Sequence, residues 1–350
     1  MKRKAEIDKL RESEYLSRAE WVRLLSGYDK EDAAYAAELA RKTSKQYFGK
    51  RVYIRGLIEF SSYCKNNCYY CGLRCGNQKA ERYRLSEAEI LCCCENGYEL
   101  GFRTFVLQGG EDAFYTDDKM ISLIRKIKER FADCAITLSI GEKEESSYRS
   151  FFEAGADRYL LRHETADTAH YRMLHPQEMS LEHRLNCLYQ LKEIGYQTGC
   201  GFMVGSPGQT PETLAEDMLF ISRFHPQMVG IGPFLPHKDT PFGAKPQGNY
   251  ELTLFLLSLI RIMEKNVLLP ATTALGTIHP QGREAGILAG ANVVMPNLSP
   301  LSVRKKYSLY DNKICTGDEA AECIRCLAGR MEGIGYEIVC DRGDWEERIL

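Results

Sequence analysis

The chain has 350 residues, enough for one large barrel or two average domains, with 44% hydrophobic and 27% charged residues. A net charge of −2 with no basic block argues against nucleic acid as a partner, and no apolar run reaches the ~18 residues that span a membrane. The N-terminal stretch Met1–Glu6 turns polar at once and predicts no secretion signal, so fourteen cysteines point to a reducing, cytoplasmic setting and to metal use rather than disulfides.

Residues 1–50 read as a helical extension expected to cover one end of the main domain. Ser17-Arg18-Ala19-Glu20 is a capping box ahead of Trp21, Val22, Leu24 and Leu25, and Asp29 caps a second helix through Ala33, Ala36, Ala37 and Leu39. Eight apolar segments come next, at 52–60, 104–108, 135–140, 158–163, 198–204, 228–234, 268–274 and 292–295. Helical patterns separate them at 86–100, 119–130, 144–154, 181–194, 211–224, 250–265 and 282–289. Alternating strand and helix predicts a parallel sheet, and eight repeats predict a (β/α)8 barrel over 51–300, complete or nearly closed. An open doubly wound sheet is the alternative. Residues 301–350 form a short C-terminal segment.

In a barrel, chemistry gathers where the strands end. Here the ends carry the polar residues: Gln108-Gly109-Gly110-Glu111-Asp112, then Thr137, Ser139 and Glu142, then Arg158, Arg162, His163 and Glu164. Further along come Gly205–Thr210, Gly230–Pro233, Thr272 with Thr273, and Met295-Pro296-Asn297. The first strand runs into Cys64, Cys68 and Cys71, spaced C-x3-C-x2-C. Three thiolates on a short loop can hold three corners of a 4Fe–4S cube and leave one iron open for a small molecule. A zinc knuckle is the other reading, with Cys75 as a fourth ligand.

With Tyr70 ahead of the last cysteine, this loop resembles that of the radical S-adenosylmethionine (SAM) superfamily. The resemblance implies a 4Fe–4S cluster on Cys64, Cys68 and Cys71 that binds SAM and cleaves it reductively to a 5′-deoxyadenosyl radical. It also implies that Gln108, Gly109, Gly110 and Glu111 meet the methionine amino group, that Glu164 binds the ribose, and that Arg184 pairs with the SAM carboxylate. Met203, Gly205–Thr210 and Ile231 would line the adenine and sulfonium side. Among the histidines, only His163 is placed near this site; His175, His225 and His279, beside prolines, read as loop residues. Cys92, Cys93 and Cys94 fall on consecutive helix positions and cannot share a face. Cys134, Cys187, Cys200 and Cys340 read as buried fillers.

The segments 58–61, 106–112, 157–165, 203–205, 229–234 and 270–274 together resemble the HydE family of FeFe-hydrogenase maturases, with biotin synthase and methylornithine synthase as neighbours. That resemblance runs over about residues 50–330. It implies a cysteine-ligated Fe(CO)2(CN) substrate made by HydG, a hand-off to HydF, and ferredoxin or flavodoxin as reductant. Thr137, Ser139, Arg158, Arg162, Thr272, Thr273, Met295, Tyr307 and Tyr310 would form the substrate pocket. Arg158 and Arg162 are four apart on a strand and so share a face. Cys315, Cys323 and Cys326, spaced C-x7-C-x2-C, match an auxiliary Fe–S cluster of that family, of 2Fe–2S or 4Fe–4S type. The alternatives are a radical SAM enzyme for a small organic substrate such as lysine, as in methylornithine synthase, and a non-catalytic iron–sulfur carrier.

Overall fold

Backbone hydrogen bonds close eight parallel positions into a ring. The structure, a computed structural model, describes residues 2–314 and 324–347. The first stave is broken at Arg55 into β1 (Arg51–Ile54) and β2 (Gly56–Ser61). Then come β3 (Thr104–Gly109), β4 (Ala135–Ser139), β5 (Arg158–Leu160), β6 (Gln197–Cys200), β7 (Met203–Val204), β8 (Met228–Val229), β9 (Gly232–Pro233), β10 (Val293–Val294) and β11 (Glu337–Val339). β2, β3, β4, β5, β6 and β8 form one six-stranded parallel sheet. The seventh stave survives only as bridges, Met228 to Leu268 and Pro270 to Val293. β10 then pairs with β1, and Leu57 bridges to Asn297, which completes the circuit. The fold is thus the (β/α)8 barrel expected of the alternating pattern.

The seventh stave shows where periodicity misled. Residues 268–274 read as one strand, yet Thr272 is the N-cap of the helix Thr273–Ile278, so the chain turns inward after Pro270. The fifth and sixth staves bend at Gly201 and Gly230. Gly201 has φ +156°, and a Cβ there would sit 2.1 Å from the Gly230 carbonyl, so only glycine lets the two strands approach before β7 and β9 pair.

Outward side chains of the staves, such as Phe105, Leu107, Ile136, Leu138 and Tyr159, are buried beneath the outer helices. Each contributes ~1.5–3 kcal/mol of burial. Most of those helices begin at hydrogen-bonded caps, for example Ser86 with Glu89 and Thr210 with Thr213. The N-terminal helices Lys4–Ser13, Arg18–Gly27 and Lys30–Phe48 lie mainly along the barrel's side rather than over an end. They pack on Pro211–Phe224 and Tyr250–Met263, with Tyr28 stacked on Phe255 at 4.2 Å. Tyr250–Met263 is buried from Phe255 to Met263 on every face, and such a helix needs an outer partner.

The C-terminal segment is split between the two ends of the barrel. Residues 305–314 cross the mouth, while the helix Ile324–Gly333 leads to β11, which adds to the β1 edge with Glu337 opposite Arg51. The tail after β11 closes the N-terminal end.

Candidate active site

The cysteine loop leaves β2 at the C-terminal end of the barrel. Cys64, Cys68 and Cys71 are all partly buried. The loop is tied to the next stave: Lys65 N donates to the Glu111 carbonyl at 3.0 Å. A Cβ on Gly110 would fall 2.2 Å from the Tyr63 carbonyl and 2.6 Å from Cys64 Cβ, so this glycine lets β3's end touch the loop. The Arg82 guanidinium gathers the loop's carbonyls, donating to Ser62 and, at 2.8 Å each, to Leu73 and Arg74. Burial pushes the Cys71 thiol up to about 12, and the nearby Cys64 charge adds to this. Burial and the neighbouring thiolates raise Cys68 in the same way. Iron must therefore displace protons, and loading weakens as pH falls. Three mutually sensing soft donors on one loop fit an iron–sulfur cluster. Among the described residues, no three His, Cys, Asp or Glu side chains converge as ligands of a single ion.

A ring of charge surrounds this loop. Glu111 is buried; its Oε1 accepts from Glu142 N at 2.9 Å, and its Oε2 lies 3.3 Å from Lys65 Nζ. Arg184 is buried rather than a surface arginine, with Nε 2.7 Å from Glu142 Oε1. Burial raises the Glu142 carboxyl, against the pull of Arg184. Arg162 lies 3.3 Å from Glu164. Glu142 was read only as a polar residue at a strand end and Lys65 was not singled out, although both flank motif residues.

Tyr70 donates its hydroxyl to His175 Nε2 at 3.1 Å, because His175 Nδ1 is committed to the Tyr171 carbonyl at 3.0 Å. Reading His175 as a loop residue is therefore corrected: it is buried, and burial lowers its ring to about 3. Tyr70 also packs with Leu174, Met203, Phe234 and Phe242 in one apolar cluster beside the loop. Ile231, expected on the adenine side, has no exposed surface and sits in the main core. His163 is buried but points away from the mouth, against Phe202 and Phe220.

Register places Glu59, Gln108 and Ser139 on one inward level near the mouth. Thr137 Oγ1, Thr272 Oγ1 and Arg162 Nε are buried and lack hydrogen-bond partners. Orphaned polar atoms around the upper barrel suit a polar ligand. Thr273 starts a helix beside Thr272, and Met295 packs on the layer formed by Met228, Leu268 and Val293. Tyr307 is buried and its hydroxyl accepts from Gln108 Nε2 at 3.3 Å; Tyr310, on the same crossing segment, is partly exposed.

Arg158 is the main correction. It stands at the start of β5, fully buried at the opposite end of the barrel. Its Nη2 donates to Asp344 Oδ1 at 2.6 Å and to the Arg342 carbonyl at 2.8 Å, its Nη1 to Thr104 at 3.0 Å and its Nε to Gln197 at 3.1 Å. Four residues of strand span roughly 13 Å, so one face carries Arg158 at the floor and Arg162 at the mouth.

Sequence reading also missed Glu59 and Lys313. Glu59 is buried on β2, accepts from Asn297 Nδ2 at 2.9 Å, and is ion-paired with Lys313. Lys313 reaches in from the crossing segment, which is itself bonded to the cysteine loop, Gly72 N donating to the Leu309 carbonyl at 2.9 Å. A glutamate inside an apolar run was the available signal. Cys340 is exposed, not a buried filler, whereas Cys134, Cys187 and Cys200 are buried. Cys92 is exposed while Cys93 and Cys94 are buried. Cys326 lies in the first turn of Ile324–Gly333; Cys315 and Cys323 lie outside the described residues.

The Radical SAM superfamily model matches residues 58–221. The chain is 46% identical over 298 residues to the [FeFe] hydrogenase maturase subunit HydE of Thermotoga maritima, covering 85% of each. It is 32% identical to 3-methylornithine synthase of Methanosarcina barkeri, covering 94% of this chain and 92% of that protein. The crystal structure of methylornithine synthase superposes with a TM-score of 0.83 at 30% identity, covering 95% and 97% of the two chains. The maturase HydG shares the fold at a TM-score of 0.79 and 20% identity, over 97% of this chain and 76% of that one.

Proposed function

The chain belongs to the radical SAM superfamily, in the branch that holds HydE, and we propose that it acts as a HydE-type maturase of FeFe-hydrogenase. The observation that carries this reading is the 46% identity to HydE over 85% of both chains. Membership implies a 4Fe–4S cluster and SAM as cofactors, with Cys64, Cys68 and Cys71 as the residues that would hold the cluster. When bound, cluster and SAM supply one-electron cleavage of the sulfonium and hence a reactive carbon radical.

The protein's own work is placement and exclusion of water. Gly109 and Gly110 give close main-chain approach for the amino group of SAM, and Gln108 and Glu111 stand beside them. Arg184, anchored by Glu142, is oriented for the SAM carboxylate as a charge-assisted contact. Glu164 is assigned to the ribose diol, while Tyr70, Met203 and Ile231 are assigned to the adenine and sulfonium side, Ile231 as part of the packing behind it. Arg162, Thr137, Ser139, Thr272, Thr273, Met295, Tyr307 and Tyr310 are assigned to an anionic, cysteine-ligated Fe(CO)2(CN) substrate. Three unpartnered polar atoms among them support that assignment. The segment carrying Tyr307 and Lys313 covers the mouth.

In this reading HydG supplies the substrate, HydF receives the product, and ferredoxin or flavodoxin supplies the electron. Cys315, Cys323 and Cys326 are assigned to an auxiliary Fe–S cluster. No described helix is long and apolar enough to cross a membrane; we place the protein in the cytoplasm of an anaerobe.

The methylornithine synthase likeness favours a second reading, rearrangement of lysine. The experiment is anaerobic turnover of reconstituted protein with SAM, dithionite and either the cysteine-ligated iron complex or L-lysine. Substrate-dependent 5′-deoxyadenosine with the iron complex alone supports the maturase reading. Methylornithine from lysine would replace it.

A further inference from the structure

The structure assigns His163 and Asp217 as a buried pair that positions Glu164 for SAM. The inference rests on the reading of Glu164 as the acid that meets the ribose. Glu164 has φ +65°, a left-handed backbone that a non-glycine residue adopts only at a cost. Something must hold it there. Glu164 N donates to the Gly201 carbonyl at 3.0 Å, and Gly201 N donates back to His163 Nδ1 at 3.3 Å. With Nδ1 used as an acceptor, the neutral imidazole carries its proton on Nε2. That nitrogen lies 3.3 Å from Asp217 Oδ1. The same oxygen accepts from Ala166 N at 2.6 Å.

Asp217 Oδ1, on the helix Pro211–Phe224, thus accepts a hydrogen bond from Ala166 N on one side of Glu164 and lies in close contact with His163 Nε2, without an aligned hydrogen bond, on the other. His163 and Asp217 are wholly buried, the imidazole against Phe202 and Phe220, so no water competes for these contacts. Neither side chain points at the mouth; both act through the backbone of Glu164. Thr165 adds a local turn, its Oγ1 accepting from Asp167 N at 3.2 Å, but does not reach across to the helix. Without Asp217 the turn would relax from the left-handed region and swing the Glu164 carboxylate away from a diol.

The test is SAM affinity of the anaerobically reconstituted protein, measured by calorimetry, together with cluster content. Glu164→Gln should weaken binding at least about tenfold, the loss expected for a charged hydrogen bond. Asp217→Ala should weaken it comparably with cluster content unchanged. Glu164→Gln combined with Asp217→Ala should lose no more than either alone, because both remove one contact. Asp217→Asn keeps an oxygen acceptor and should stay within about threefold of wild type. Should Asp217→Ala not accumulate, His163→Phe keeps the ring packing, removes both nitrogens, and should show the same loss and the same non-additivity. Unchanged affinity in Asp217→Ala or His163→Phe, losses that multiply with Glu164→Gln, or an equal loss in Asp217→Asn would overturn the inference. Unchanged affinity in Glu164→Gln alone would instead remove the ribose assignment.

Discussion

The two ends of this barrel both turn an arginine of the same stave inward, Arg158 wholly buried and Arg162 partly so, and they use it differently. At the floor, Arg158 meets Asp344, the Arg342 carbonyl, Thr104 and Gln197, while Arg342 joins Asp344 and Asp157. Nearly every donor there has an acceptor, Arg55 Nε being an exception. At the mouth, Arg162 Nε, Thr137 Oγ1 and Thr272 Oγ1 have none. A buried polar network that is satisfied by its own chain fixes structure. One that is left open is shaped for a ligand, since an unpaired buried polar group is costly unless something completes it.

Substitutions at the two ends put this contrast at risk. The largest effect belongs to the cysteine loop: Cys68→Ala should abolish SAM cleavage and cluster loading, read as iron content and 5′-deoxyadenosine. Next, Arg162→Ala at the mouth should retain SAM binding by calorimetry yet abolish maturation, and retained maturation would remove Arg162 from the substrate pocket. Arg158→Met at the floor should do the reverse. It should cost about 3 kcal/mol of stability in urea unfolding, as expected when one partner of a buried pair is removed. The folded fraction should still turn over.

A smaller effect is expected of the Glu59–Lys313 pair, which joins the crossing segment to β2. Either Glu59→Gln or Lys313→Met should destabilise more than the double variant, since removing both charges leaves no lone buried ion. Equal additivity would mean that the two residues do not sense each other. The smallest effect is in acid. Burial opposes ionisation of Asp344, but the hydrogen bond from Arg342 and the charge of Arg158 outweigh it and hold the carboxyl at about 2. A depressed carboxyl stabilises the fold above its ordinary value near 3.8 and loses that contribution as pH falls towards 2. The floor's stability should therefore be flat from neutral pH to about 4 and decline below it, and Asp344→Asn should remove that decline.

Much of this was legible in residue order. Periodicity located the connecting helices because most have one apolar face and a capping residue, Tyr250–Met263 being apolar all round. The cysteine loop and the polar stave ends lay in sequence where the barrel mouth lies in space. What residue order could not supply was height. Arg158 and Arg162 share a face, but only the short β5 and the tail that binds Arg158 separate floor from mouth. Nor does anything local mark Arg342–Asp344 as the plug, because its partners on β3, β5 and β6 are distant in sequence. Thr272 looked like a strand residue for the same reason that it makes a good N-cap: its side chain is short and polar. His175 hid behind a proline that in fact ends the helix Thr168–Leu174 and turns the imidazole onto Tyr70.

Whether this barrel is a HydE-type maturase is decided by reconstituted maturation. Apo-hydrogenase, HydG, HydF, SAM and reductant are combined under strict anoxia, with or without this protein loaded with iron and sulfide, and hydrogen evolution is read. The maturase assignment predicts hydrogen evolution that requires this protein and is lost with Cys68→Ala. Hydrogen evolution that is the same without it, or its absence while SAM cleavage is intact, would contradict the assignment.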